Sequence, residues 1–289
     1  MPERTTLSAG GSPTSLTDGF RWITRPWGRA LESGALAEVA DHLFTTRRLR
    51  LRGPHERTEW AAVADTLGVE PSKLLRPRQV HGRGALSHRR GEAIPAWDGR
   101  GPDADIIATD DPEVAICVQV ADGIPMLLAD RRTGAVAAAH AGWRGCVARV
   151  AEAAVGAMVA RFGARPADLV VALGPSIGAC CYEVGPEVRE AFLAGGFDSD
   201  SVGRWFTPGG PPWWAKASGA RAADGTSRGD RLHLDLWTVS REQLAASGLA
   251  ADHIHLSRLC TIDHLDTFFS YRAEGPGTGR IVGAIRARG

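Results

Sequence analysis

The sequence has no apolar run of the roughly 18 residues or more that a membrane-spanning helix needs. Its first stretch, MPERTTLSAGGSPTSLTDG, lacks the apolar core of a secretory signal. Cysteine is sparse: five residues, an odd count with two adjacent, do not make a disulfide framework. A reducing, cytoplasmic compartment is the expectation. The Cys180-Cys181 pair has no C-x-x-C spacing and no second pair, which argues against a structural zinc site. Neither sign of charge dominates: 34 Lys and Arg against 33 Asp and Glu leave +1, so nothing global calls for nucleic acid or an anionic membrane. Heptads and internal repeats are absent. Nine histidines include only one H-x-H pair, His253-x-His255, too few for the ligand pattern of a multicopper oxidase.

What the sequence does have is turn residues, 35 Gly and 17 Pro, and one strongly patterned segment, Val114 to Phe162. Three nearly uncharged runs, Val114–Val120, Pro125–Ala129 and Ala135–Ala139, have the length of buried strands. His140-Ala141-Gly142-Trp143-Arg144-Gly145 follows the third run. Next, Val147, Val150, Ala151, Ala154, Val155, Met158 and Phe162 fall on one helical face, and Gly163 stops the helix. A His, a Trp and an Arg at the handover from strand to helix are placed for presentation at a pocket.

Elsewhere the pattern predicts a disordered tail over residues 1–19 and a short helix, then a strand, within 36–50. Further helices are expected at Glu59–Leu67, from Pro186 to Leu193 and over His233–Ala246. Strands are expected at Asp103–Thr109, Asp168–Leu173, Ile254–Cys260 and Ile281–Ile285. The basic run Arg47–Arg52 reads as a solvated strand end in preference to an anion site. Residues 195–230, rich in Gly and Pro with Trp205, Trp213 and Trp214, read as a long surface insertion whose rings anchor it.

Four signatures occur in order: RQVHG at 78–82, ADGIPMLLAD at 121–130, HAGWRG at 140–145 and GPSIGACCYEVG at 174–185. LDLW at 234–237, FFSYR at 268–272 and TGR at 278–280 follow. Over roughly residues 40–289 the chain resembles the YfiH family, also described as laccase-domain or multicopper polyphenol oxidase proteins and as purine nucleoside phosphorylases. The resemblance implies an α+β fold: one domain, residues 20–289, of mixed β-sheets packed as a sandwich flanked by helices. It implies phosphorolysis of adenosine, inosine, guanosine or methylthioadenosine (a transferase reaction), in some members adenosine deamination (a hydrolase reaction), and in older descriptions copper-dependent phenol oxidation. A role in policing peptidoglycan precursors has also been attached to bacterial members.

The family metal, usually described as zinc, is held by the His of QVHG, the Cys of an ADC tripeptide and the His of HAGWRG. These positions carry over to His81 and His140, but the Cys position is Gly123. Two imidazoles without the thiolate make a weak zinc site, for which Cys146 or Cys117 are candidate substitute donors. The N-terminal part departs too: Glu59-Trp60 stands where the family has Asn-Arg. Arg144, Arg272 and Arg280 are the retained cations for a phosphate, with Gln79, Asp122 and Gly123 beside them as candidate binding residues. The expected partners are a nucleoside and phosphate. Two other readings stay open: a scaffold repurposed for another small-molecule reaction, and a non-catalytic binding protein. Cys146, at a helix start near Arg144 and His140, is a candidate nucleophile; the competing reading is a small buried packing residue.

Overall fold

The computed structural model describes residues 19–52, 56–97, 100–209 and 232–289. The expected tail, and Trp213 and Trp214 of the expected insertion, lie outside the described residues.

The apolar runs that read as buried strands are strands covered on both faces. β7 (Ala115–Val120), β8 (Ile124–Asp130) and β9 (Val136–Ala141) follow one another, and β10 (Leu169–Leu173) pairs antiparallel to β8. They belong to two six-stranded mixed sheets. One is ordered β1-β2-β3-β15-β7-β4, with β1 at Phe20–Arg25, β2 at Gly28–Ser33, β3 at Asp41–Phe44, β4 at Leu74–Leu75 and β15 at Ile281–Arg286. The other is ordered β14-β10-β8-β9-β6-β5, with β5 at Ala85–His88, β6 at Ile106–Thr109 and β14 at Ile254–Leu256. A third, three-stranded sheet joins β11 (Glu183–Val184), β13 (Leu232–Leu234) and β12 (Phe206–Pro208).

Alternation along the strands divides the core into layers. Leu127 and Ala129 of β8 and Val136 and Ala138 of β9 pack between the sheets against Ile116, Val118 and Val120 of β7. Met126, Leu128, Ala137 and Ala139 point the other way, under the helices Val150–Phe162 and Leu236–Ala246. On the far face of the first sheet, Ala115, Cys117, Val282 and Ala284 are covered by Trp60, Val63 and Ala64 of the helix Arg57–Thr66. The result is an α+β domain, two mixed sheets face to face between outer helices. Among the described residues no helix is long and apolar enough to cross a membrane.

Three expectations change. The helix read as one from Val147 is two, Trp143–Val147 and Val150–Phe162, divided at Arg149, whose φ is 62°. Arg149 holds that left-handed turn with a guanidinium over Phe197 and an ion pair to Glu152. The stop at Gly163 is a left-handed C-cap, φ 65°. The helix read from His233 starts at Leu236, where the Asp235 carboxylate caps it, because residues 232–234 pair as a strand. Finally, the described first part of the Gly/Pro/Trp-rich segment is ordered: Ser199–Trp205 is a helix, and Trp205 is buried among Phe192, Phe197 and Phe206. The basic run near residue 50 is solvated as expected at Arg48, Arg50 and Arg52, which are exposed, with some of its guanidiniums anchored. Arg47 pairs with Glu274 and stacks on Phe269, and Arg50 donates to the Gly277 carbonyl.

Candidate active site

β7 belongs to one sheet and β8 to the other, so the chain crosses between sheets at Ala121-Asp122-Gly123. At that crossing a cleft of about 570 Å³ opens, of a size suited to a small ligand. The ends of β7 and β9 and the segments around residues 79–81, 182 and 271–280 line it.

At its floor are His81 and His140, with ring centroids 5.0 Å apart. The pair that the family motifs mark is thus brought together from two distant parts of the chain. His140 is the last residue but one of β9, and its backbone N–H donates to the carbonyl of Asp105, the residue before β6. The same Asp105 is fully buried and carries its carboxylate to His140 Nδ1 at 2.9 Å. The backbone N–H groups of Val80, His81 and Gly82 also converge on that carboxylate, at 3.1, 3.1 and 2.7 Å. Burial alone would raise the Asp105 pKa, but the bonds from His140 and the three amides outweigh it and hold the carboxyl below its ordinary value. One buried anion therefore fixes both histidines: His140 directly, and His81 through the loop in which its φ is 60°. With Nδ1–H bound to Asp105, the Nε2 of a neutral His140 faces the cleft as an acceptor. Burial and the neighbouring His140 both lower the pKa of His81.

No motif marks Asp105, which falls within the strand expected at Asp103–Thr109. The usable signal was a carboxylate inside an otherwise apolar, two-sidedly buried run, which requires partners.

Gly123 lies against the same imidazole. A Cβ built there would stand 2.6 Å from His140 Nε2 and 3.6 Å from the Gly142 Cα. The position at which the family has Cys thus faces the histidine pair, and its glycine lets the His140 ring occupy the room a side chain would take. Among the described residues the only group of three or more His, Cys, Asp or Glu donors close enough to share an ion lies elsewhere, at Cys180, Cys181, Cys260 and Asp263. Among the described residues the histidine pair has no third protein donor of that kind, so the three-ligand set does not fit them.

Neither proposed substitute reaches the cleft. Cys117 points into the core under the helix Arg57–Thr66, and Cys146 is buried with its sulfur 3.9 Å from Ser240 Oγ. Burial pushes each thiol up to about 12, the opposite of nucleophile activation. Gln79 and Asp122 line the cleft, but their polar groups are committed. The Gln79 carboxamide makes both bonds to the Gln119 backbone, each 2.8 Å. Asp122 accepts from Thr261 Oγ1 at 2.6 Å and from the Arg272 backbone N–H at 2.7 Å, and burial raises its pKa. Both are positioning residues.

The arginines supply the charge. Arg100, Arg144, Arg272 and Arg280 line the cleft. Arg144 stacks on Trp143 and pairs with no carboxylate among the described residues. Arg272 stacks on Tyr182 and donates to the Glu183 carbonyl at 2.7 Å. Burial, with Arg52 and Arg100 close by, lowers the pKa of Arg280, whose guanidinium touches its own loop carbonyls at Thr278 and Gly279. Arg100 was not singled out in the sequence; no motif marks it.

A family model described as "Multi-copper polyphenol oxidoreductase laccase" matches residues 55–288. A purine nucleoside phosphorylase of Bacteroides thetaiotaomicron is 36% identical over 225 residues, 74% of this chain and 73% of that one. The purine nucleoside phosphorylase YfiH of Escherichia coli is 36% identical over 218 residues, 75% of each. The chain belongs to the YfiH family. The crystal structure of YlmD from Geobacillus stearothermophilus superposes with a TM-score of 0.74 at 26% identity, covering 94% of this chain and all of that one. Both of these curated relatives, from Bacteroides thetaiotaomicron and Escherichia coli, are named as purine nucleoside phosphorylases.

Proposed function

We propose that this chain splits a purine nucleoside with inorganic phosphate. The observation that supports the reading best is the convergence of four arginines on a cleft whose one lining carboxylate among the described residues, Asp122, is bonded away from ligand. Such a cleft favours a dianion beside an uncharged partner. In the reaction a phosphate oxygen forms a bond to C1′ of the sugar. The glycosidic C–N bond breaks, its electron pair leaves with the base, and a proton is delivered to the base. Arg144 and Arg280, with Arg100 and Arg272 around them, hold the phosphate in line. His140 Nε2, fixed by Asp105, accepts the proton of the attacking monohydrogen phosphate, and that proton passes to the departing base. Trp143, Tyr182 and Tyr271 line the cleft as aromatic surface for the base. No step is assigned to a metal, because the histidine pair lacks a third donor among the described residues.

The test is turnover on adenosine, inosine, guanosine and methylthioadenosine with and without phosphate. Free base and a pentose 1-phosphate forming only with phosphate support the reading. Ammonia release without phosphate would replace it with deamination. Inertness toward the whole panel would sink it and favour the repurposed scaffold, for which the glycine at position 123 is the specific argument.

A further inference from the structure

The loop after β10 runs from Gly174 through Cys180 and Cys181 to β11, and the segment after β14 runs past Cys260 and Asp263. The two are laced by backbone: Ser176 N–H to the Leu259 carbonyl at 3.2 Å and Thr261 N–H to the Ser176 carbonyl at 3.0 Å. Adjacent side chains on a strand face opposite ways, but Cys180 and Cys181 sit in a turn, and both thiols donate to one carboxylate. Cys180 Sγ is 3.2 Å from Asp263 Oδ2 and Cys181 Sγ is 3.5 Å from Asp263 Oδ1. Cys260 Sγ enters from the other segment and accepts the Gly178 N–H at 3.3 Å. The four donor atoms lie within 4.8 Å of one another, with Cys181 and Cys260 buried and Cys180 and Asp263 exposed.

We propose that Cys180, Cys181, Cys260 and Asp263 form a structural zinc site that ties the 174–185 loop to the segment 257–264. Three sulfurs and one carboxylate are a donor set for a thiophilic divalent cation. At a Zn–S bond of about 2.3 Å, tetrahedral donors stand roughly 3.8 Å apart, so the cluster needs only a small contraction to close on an ion. The exposed side at Cys180 and Asp263 gives the ion its entry. A disulfide would use two of the three sulfurs and leave the carboxylate facing a lone thiol. The absence of paired C-x-x-C spacing does not count against such a site, because the third cysteine comes from 79 positions away (260 − 181). The site is separate from the histidine cleft, and it lies next to the Tyr182 that walls it.

The experiment uses the full chain, reduced and stripped with a chelator, then titrated with Zn²⁺ and, separately, Cd²⁺. One equivalent of metal, a sulfur-to-cadmium charge-transfer band, a raised thermal midpoint and protection of Cys180 from alkylation are expected. In Cys180→Ser and in Cys260→Ser the affinity should fall by more than about 100-fold, since even the outer partners of such sites are worth 10–100-fold. The exposed Asp263→Asn variant, which carries little folding risk, should also weaken binding. The double variant His81→Ala/His140→Ala should keep the equivalent and the band. Failure of the reduced parent to take up metal would overturn the proposal. So would uptake that survives Cys180→Ser but is lost with the two histidines, or cysteines that only form a disulfide in air.

Discussion

At the scale of single residues, one carboxylate organises the site. Asp105 has two oxygens and four donors, so replacing one oxygen with an NH₂ puts donor against donor in a buried place. Asp105→Asn should lower stability by about 2–4 kcal/mol and kcat/KM with phosphate by roughly 100-fold or more. Denaturant unfolding beside initial rates separates the two; a variant with parental rates would remove Asp105 from the mechanism. Gly123 tests the metal question. Gly123→Cys, made in a Cys180→Ser background to silence the second thiol cluster, should bind Zn²⁺ at least about tenfold more tightly than that background, once the His140 ring, which the new Cβ would approach to 2.6 Å, shifts to make room. Equal affinity in both would show that the position does not complete the histidine pair. His81, His140 and Gly123 were legible because their motifs match those of the YfiH family, and His140 also because it sits where a buried strand hands over to a helix. Asp105 was not, because its role depends on where β6 meets β9, which no local pattern records.

At the scale of elements, β2 and β3 meet at a buried histidine. The Ser33 N–H of β2 donates to His42 Nε2 at 2.9 Å, and His42 is 3% exposed. Burial, the largest cause, lowers its pKa from 6.5 to about 4. Because the folded value lies below the unfolded one, the unfolded chain binds the proton first as pH falls. The stability held above pH 6.5 is therefore lost between about 6.5 and 4, up to about 3 kcal/mol. His42→Gln, which keeps an acceptor for Ser33, should flatten that part of the urea midpoint against pH; an unchanged slope would assign it to other groups. The short helix Trp143–Val147 makes a second case. Cys146 packs there against the long helix, so Cys146→Ser should cost about 1–2 kcal/mol and leave turnover unchanged, and the native thiol should alkylate slowly at neutral pH. Fast labelling with loss of activity would reinstate the nucleophile. The helical face from Val150 to Phe162 was legible by its period. The break at Arg149 was not, because a left-handed residue held by Phe197 and Glu152 carries no glycine to announce it.

At the scale of the whole molecule, the sandwich gathers charge that the composition conceals. A net charge of +1 gives no hint of an anion site, yet folding draws Arg100, Arg144, Arg272 and Arg280 from separate segments to one mouth. The apolar runs made the buried strands readable in advance, and the resemblance to the YfiH family supplied their packing as a sandwich; the mouth depends on crossings between sheets, which the runs do not encode. Like charges at that distance repel, and Arg280 already feels Arg52 and Arg100. An anion that neutralises them binds the folded chain and not the unfolded one, so it must stabilise the fold by mass action: about 2.7 kcal/mol at a hundredfold excess over its Kd. For a chain of this size that corresponds to roughly 5–10 °C in thermal midpoint. Inorganic phosphate, titrated at constant ionic strength against chloride, should produce that rise. Arg280→Ala should remove most of it, while a surface change such as Arg21→Ala should leave it intact. Raising ionic strength at fixed phosphate should shrink the shift, because exposed charges are screened within about 8–10 Å at ordinary salt. A midpoint that stays flat with phosphate in the parent would mean that the four arginines do not form an anion site, and phosphorolysis would lose its main support.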